Sequence, residues 1–343
     1  MLIDELQHLI FEFPTQLEVP MKLATRSLLP GFFLIGTALF PLGVPGQAGT
    51  ATKTPAVASD TVVGRALEAP VNTRELSGKF WWDDAWYDRG ILPDPVNYDV
   101  VEKEVTYVNP ADNTEVPAIL YRPKDPGKYP GILFQHGRRG LDELVQRLPR
   151  RMAARGFVVL APDVYSARFI DKLPIEHMVE TESDTDAGID FLLKQADVST
   201  SRICLYSHTR GGYYTLRVAV RNERQKKDVA CYVSSYPHWQ DPNAEEPMQV
   251  YRYALEADSL DIPTMIFIGE YEQYQRRRSI ETAVKSMKES GKNVRLIIYP
   301  GVGRGFDFRT PSVRTFADDL ATRDATWRAA EFMRDHLDAW KKD

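Results

Sequence analysis

The residues that could do chemistry come just after β-rich runs of the sequence. One run leads into the glycine-bearing segment His136–Gly140, and another leads into Ser207–Gly212, where paired glycines follow Thr209. A strand-to-helix turn of the second kind holds a nucleophile clear of the backbone, with the next amide aimed at a developing oxyanion. Because ligands bind outside the carboxyl ends of parallel strands, the two turns mark one edge of the sheet as the place of the candidate site.

Two further pieces extend this pattern, the run Ala161–Tyr165 and the triplet Tyr299-Pro300-Gly301 before the last long helix. In this order and spacing, the four pieces make the chain similar to the dienelactone hydrolase family over roughly Val101 to Leu337. The resemblance implies an α/β-hydrolase fold, and substrates that are carboxylate-bearing lactones held by arginines.

The catalytic positions that the resemblance assigns carry unusual residues. Thr209 stands in the nucleophile slot, where the family has Cys or Ser, and Glu272 in the acid slot, usually Asp. Arg304 stands in the histidine slot. Because a guanidinium stays protonated at physiological pH and offers no acceptor, Arg304 cannot act as a general base. A threonine hydroxyl without a base is a weak nucleophile. We therefore expect a charge-assisted Glu272–Arg304 pair and no ordinary serine-hydrolase mechanism.

A rearranged base would restore activity, and His238 is its first candidate. It follows a central strand, and Asp241 comes soon after it as a possible orienting acid. His208 adjoins Thr209, but adjacent side chains on an elbow diverge. The alternative function is thus an active ester or lactone hydrolase that uses Thr209 with a non-standard base. His177 and His336 are interpreted as loop and surface residues. The sequence shows no metal-ligand spacing, and no cofactor is expected.

The same edge of the sheet could bind an anion. The amides after Gly137 and Thr209, the N-terminus of the following helix and Arg304 would all attract a carboxylate. Arg168 and Arg309 lie near, but not at, the arginine positions that the resemblance implies. The alternative is that these arginines are structural or solvated. The full set of ligand-binding candidates is Arg138, Arg210, Tyr165, Arg168, Arg309 and His238.

Alternating β-rich and helical patterns from residue 98 onward predict the elements that position these residues. The fold class is α/β, with a mostly parallel eight-stranded sheet flanked by helices. The predicted strands are Glu102–Val108, Val116–Arg122, Gly131–Gln135, Phe157–Ala161, Arg202–Ser207, Val229–Ser234, Thr264–Ile268 and Val294–Tyr299. The predicted helices are Asp142–Arg155, Ser183–Gln195, Gly212–Asn222, Arg276–Ser290 and Thr322–Trp340, with Asp142 and Ser183 as caps of the first two.

The N-terminal part has a different organisation. Residues 1–48 are interpreted as an overextended gene start followed by a signal peptide from Met21, which predicts an exported protein, periplasmic or secreted. An uncleaved leader that anchors the chain in a membrane is the alternative. Residues 49–97 form a linker and an aromatic arm, and residues 98–343 the hydrolase-like domain. Trp81, Trp82 and Trp86 either pack onto the domain, dock a protein partner or form a lid over a pocket.

Composition and charge narrow the function classes. The 343 residues are 43% hydrophobic and 27% charged, with a formal net charge of -5 and no concentrated basic excess, so nucleic acid is not an expected partner. The basic clusters at Arg224–Lys227 and Arg276–Arg278 are interpreted as solvated helix faces. The two cysteines, Cys204 and Cys231, are interpreted as buried free thiols in neighbouring strands, with a bridge between them, which an oxidising compartment would permit, as the alternative. The expected function is an exported, catalytically atrophied ligand-binding or accessory subunit.

Overall fold

The structure is a computed structural model that describes residues 98–242, 244–245 and 248–342. The predicted leader, linker and aromatic arm, including Trp81, Trp82 and Trp86, lie outside the described residues.

One eight-stranded sheet forms the centre of the described chain. Its strand order is β1-β2-β4-β3-β5-β6-β7-β8, antiparallel from β1 to β2 and from β2 to β4, and parallel elsewhere. The predicted fold class is confirmed. The strands are β1 Val100–Val108, β2 Glu115–Pro123, β3 Tyr129–Gln135, β4 Val158–Pro162, β5 Val198–His208, β6 Val229–Ser235, β7 Thr264–Tyr271 and β8 Val294–Gly303.

Helices cover the sheet, and all five predicted helices are present. The helices are α1 Glu143–Ala153, α2 Val164–Ala167, α3 Glu180–Leu193, α4 Gly211–Arg221, α5 Arg224–Lys227, α6 Tyr274–Glu289 and α7 Phe316–Leu337, with short 3₁₀ turns at Met248–Val250, Leu255–Ser259 and Asp338–Trp340.

Two helix starts differ from the prediction by three residues or more, while one predicted cap is confirmed. The carboxylate of Asp142 caps α1 by accepting from the Val145 amide. Ser183, predicted as a cap, lies inside α3 and donates to the Glu180 carbonyl. The last helix begins at Phe316 rather than at Thr322, because Thr315 and Asp318 form a capping box there. A box with aspartate in place of glutamate or glutamine is a weaker sequence signal.

The hydrophobic core lies on both faces of the central strands. Every residue of β4 and β6 is buried, as expected for parallel strands covered on both sides. The edge strand β1 is largely exposed. The sheet therefore aligns the carboxyl ends of β3, β5, β6, β7 and β8 at one edge, where the candidate site lies.

The prediction of two free thiols is wrong. Cys204 and Cys231 are register partners in the parallel β5–β6 pair and form a disulfide. The β5–β6 register shifts between Ile203 and Cys204, and beside this irregularity the two Cα atoms are 4.7 Å apart. That separation falls within the range that a disulfide spans.

The interpretation of Arg224–Lys227 as a solvated face is wrong for its first residue. The guanidinium of Arg224 forms ion pairs with Asp186 and Asp190 of α3 and with Asp228 at the end of α5. The contacts are 2.7–2.8 Å long, and the Arg224 side chain is 15% exposed. Arg224 therefore joins elements that are distant in sequence.

Candidate functional site

The elbow after β5 has the backbone geometry of a nucleophile position. Thr209 follows the strand with φ of 52°, and α4 begins two residues later. A Cβ added to Gly211 would lie 2.4 Å from the Gln135 carbonyl oxygen, so the turn requires glycine there. A β-branched residue in left-handed backbone carries about 1–3 kcal/mol of strain. The fold maintains this strained conformation at Thr209.

The hydroxyl of Thr209 does not face a base. Its Oγ1 atom is buried and has no hydrogen-bond partner among the described residues. A Cβ built on Gly137 would lie 1.5 Å from Thr209 Oγ1, so the hydroxyl packs against the main chain of the glycine turn. In this arrangement no side chain can take its proton.

Arg304 and Glu272 form the ion pair that the sequence predicts. Arg304 Nη1 donates to Glu272 Oε1 at 3.0 Å, and Nη2 donates to the Tyr236 carbonyl at 3.2 Å. The Glu272 side chain is fully buried, and that of Arg304 is 20% exposed. Burial lowers the pKa of Arg304, while Glu272 opposes that shift. The pair connects the loops after β7 and β8 to the end of β6.

The nearby histidines are neutral and engaged elsewhere. Burial, reinforced by His136 and Arg304, lowers the pKa of His208 to about 3, and its ring stacks on Phe134. Burial and the surrounding arginines also lower the pKa of His238 well below its ordinary value. The His238 amide donates to the Thr209 carbonyl at 2.9 Å, but its ring Nε2 contacts Arg276 Nη1. Neither ring hydrogen-bonds the Thr209 hydroxyl.

A cavity of about 500 Å³ opens beside the elbow. Arg138, Arg210 and His238 line it, as does Arg276 from the first turn of α6. The interpretation of Arg276–Arg278 as a solvated face is therefore wrong for Arg276. The signal that could have revealed it is its place shortly after the end of β7, at the edge where ligands bind. His177, interpreted as a loop residue, also lines the cavity.

A model of the dienelactone hydrolase family matches residues 116–337. The chain belongs to the dienelactone hydrolase family. It is 25% identical over 222 residues to the protein named "Putative carboxymethylenebutenolidase" of Methylorubrum extorquens, covering 60% of this chain and 73% of that protein.

Solved structures share the fold. A dienelactone hydrolase-like promiscuous phosphotriesterase from metagenomic libraries superposes with a TM-score of 0.54 at 14% identity, covering 69% of this chain and 99% of that one. A thermostable carboxylesterase cloned from a metagenomic library superposes with a TM-score of 0.53 at 20% identity, covering 72% and 91%. At these identities the likeness is one of fold.

Arg168 and Arg309, the two candidates that the family resemblance suggested, form contacts within the protein. Arg168 donates to Asp184 at 2.6 Å and to Asp112 at 2.8 Å. Arg309 lies 3.5 Å from Asp318 and donates to the Arg304 carbonyl at 3.4 Å. Neither lines the cavity. Tyr165 is buried, its ring edge-on to His136, and burial raises its pKa.

The described residues contain no helix long and apolar enough to cross a bilayer. Within the same ranges, no three His, Cys, Asp or Glu side chains cluster as ligands for a metal ion.

Proposed function

We propose that this member of the dienelactone hydrolase family binds a small carboxylate-bearing ligand without hydrolysing it by the serine mechanism. One observation carries the proposal. Arg304, which the motif order assigns to the position of the family's histidine base, forms an ion pair with the buried carboxylate of Glu272. Since a guanidinium offers no lone pair, this pair holds the loops in place but cannot move a proton.

The state of the nucleophile position supports the same conclusion. The Thr209 hydroxyl packs against Gly137, away from any acceptor in the described chain. The nearest histidine after a strand end, His238, receives a contact from Arg276 on its ring nitrogen. A working hydrolase would need both groups to turn before proton transfer could begin.

The second candidate function is hydrolysis of a small ester or lactone through Thr209 with a non-standard base. The relative named "Putative carboxymethylenebutenolidase" favours it, because that name describes an enzyme that acts on a lactone. The bond from the His238 amide to the Thr209 carbonyl also keeps this histidine beside the elbow. The two functions differ in whether Thr209 turns over a substrate.

The experiment is hydrolysis of p-nitrophenyl acetate and of a dienelactone by four purified proteins. They are the wild type, Thr209→Ala, Thr209→Ser, and the double variant Thr209→Ser with Arg304→His. We expect the first three to equal the buffer rate, and the double variant to exceed it because a base and a nucleophile are restored. Turnover by the wild type that Thr209→Ala abolishes would reject the proposal, as would a covalent phosphonate adduct on Thr209.

Export is part of the proposed function. The basic-then-apolar order before residue 48 supports it, and so does the Cys204–Cys231 disulfide, since such bonds persist in oxidising compartments. Cell fractionation and intact-mass analysis of the native protein test it. A cytoplasmic protein that begins at Met1 would contradict it. An accessory role through Trp81, Trp82 and Trp86 stays a prediction, tested by co-purification of a partner with and without these side chains.

A further inference from the structure

The cavity beside the elbow is built from segments that are far apart in the sequence. Arg138 follows β3, Arg210 follows the elbow, His238 follows β6, and Arg276 lies in the first turn of α6. The connection 168–179, which joins α2 to α3, closes one side through Ile175, Glu176 and His177. Because the elements converge at the carboxyl edge of the sheet, this cavity lies where the fold binds ligands.

Two of the arginines hold the connection 168–179 by its main chain. Arg138 donates from Nε to the Pro174 carbonyl and from Nη2 to the Leu173 carbonyl, each at 2.7 Å. Arg210 donates to the Ile175 carbonyl at 2.7 Å and contacts the Glu176 carbonyl. Carbonyl oxygens are neutral acceptors, so these bonds orient the guanidinium groups without neutralising their charge.

Arg276 is also paired with a neutral group. Its Nη1 atom contacts His238 Nε2, and the histidine can accept only while uncharged. Burial, reinforced by Arg304 and other arginines, lowers the pKa of Arg276 to about 10. Burial, reinforced by Arg304, Arg276 and the other cavity arginines, keeps the pKa of His238 well below its ordinary value.

The charge count of the cavity is positive. Arg138, Arg210 and Arg276 line it together with one carboxylate, that of the exposed Glu176. The adjoining Arg304 is compensated by Glu272. Two positive charges therefore remain uncompensated among the described lining residues. In a partly buried site such charges are costly, and an anion with the opposite charge would relieve the cost.

We propose that this cavity binds a compact dianion, a short dicarboxylate or a phosphate monoester, and that Arg276 is its principal contact. Arg276 is the best placed of the three, since Arg138 and Arg210 are held by the connection 168–179. His238 orients the Arg276 guanidinium, and Gln273 and Tyr213 supply polar groups on the wall. The assignment rests on the proposed function in one respect, that the protein retains a bound anion rather than turning it over.

Isothermal titration with a charge series tests the site. Succinate, succinamate and succinamide have nearly the same size and carry two, one and no negative charges. We expect each lost negative charge to weaken binding about tenfold, because electrostatic attraction to the arginines supplies most of the affinity. Glycerol 3-phosphate is run beside succinate, and the tighter of the two identifies the source of the dianion. Equal affinity for succinate and succinamide, or no heat with any probe at millimolar concentration, would overturn the proposal.

Two matched variants assign the contact residue. Arg276→Gln should weaken binding of the dianion by about tenfold, whereas Arg277→Gln, one residue on, should leave it unchanged because Arg277 pairs with Glu281. The unfolding midpoint of ligand-free Arg276→Gln should equal or exceed that of the wild type, since the substitution removes a repelling charge. Equal losses of binding in both variants would overturn the role of Arg276, and so would a marked loss of stability in Arg276→Gln alone.

Failure of this inference can be told apart from failure of the proposed function. If the wild type hydrolyses esters through Thr209 while the charge series holds, the cavity is a true anion site and only the absence of turnover is wrong. If no hydrolysis occurs and succinate, succinamate and succinamide bind equally, the proposal of a dianion site is wrong. The proposal that the protein does not hydrolyse esters by the serine mechanism is then unaffected.

Discussion

Removing the guanidinium of Arg304 should destabilise the protein far more than removing any exposed arginine. The variant Arg304→Gln leaves the fully buried carboxylate of Glu272 without its ion-pair partner. It also removes the bond from Arg304 Nη2 to the Tyr236 carbonyl. In the unfolded chain the carboxylate of Glu272 is fully hydrated, so the loss is confined to the folded state.

The magnitude follows from burial. Breaking a buried ion pair from one side costs about 3–5 kcal/mol, and the 20% exposure of Arg304 places the expected loss near the lower end, about 3 kcal/mol. For a domain of this size, about 3 kcal/mol lowers the unfolding temperature by roughly 6–12 °C. Replacing Glu272 by Gln in the same chain should recover part of the loss, because no uncompensated charge remains.

Urea unfolding at pH 7 measures these values, with Arg277→Gln as the control. Arg277 pairs with Glu281 at 2.9 Å, each side chain about a third exposed, and donates to the Glu270 carbonyl at 2.7 Å. The ion pair contributes about 0.3–0.5 kcal/mol and the hydrogen bond about 1 kcal/mol, so the control should lose well under the loss expected for Arg304→Gln. A loss for Arg304→Gln no larger than that of the control would refute the reasoning, since the Arg304–Glu272 pair would then not hold the loops together. Equal losses in the single variant and in the double variant with Glu272→Gln would show that the buried charge is not the cause.

Three further predictions concern the elbow, a buried histidine and the disulfide. Gly137→Ala should lower the free energy of unfolding by about 1–3 kcal/mol, because its Cβ would lie 1.5 Å from Thr209 Oγ1. In urea unfolding, Thr209→Gly should restore the lost stability, whereas Thr209→Ser should not, because it keeps the hydroxyl. Burial lowers the pKa of His208 to about 3 in the folded protein, whereas its ordinary value of 6.5 applies in the unfolded chain. The contribution of the neutral histidine to stability is therefore fully present above pH 6.5 and is lost as the pH falls from 6.5 toward 3. When the free energy of unfolding is measured at decreasing pH, His208→Phe should reduce the slope by about 1.4 kcal/mol per pH unit. A slope equal to that of the wild type would contradict this prediction. A thiol assay of denatured, unreduced protein should find no free thiol, and two free thiols would disprove the disulfide. Reduction should lower the free energy of unfolding by about 3–4 kcal/mol, as expected for a disulfide between cysteines 27 residues apart.

Much of the fold could be predicted because its signals are local. Each of the eight strands was visible as a β-rich run, and Asp142 was recognisable as a cap from its position alone. The start of the last helix at Phe316 was missed, since the Thr315 capping box uses aspartate. The thiols of Cys204 and Cys231 were also misjudged, because their separation depends on a register irregularity that no local pattern encodes.

Some features of the candidate site were also predictable from the sequence, and others were not. The Glu272–Arg304 pair was predictable from motif order, and the inability of Arg304 to accept a proton follows from the intrinsic chemistry of arginine. Arg276 was not predictable, because three consecutive arginines look alike in sequence. The geometry of α6 and the position of the elbow place Arg276 at the cavity. Arg277 instead donates to Glu281 on its own helix.

The sequence by itself determined the order of the elements, the family and the absence of a proton-accepting side chain at position 304, since periodicity, motif spacing and side-chain chemistry are properties of the chain. The tertiary structure alone decided which arginines face the cavity and where the Thr209 hydroxyl points. These facts depend on ångström-scale distances between segments tens of residues apart. Such distances are set by packing of the whole domain, so no local stretch of sequence encodes them.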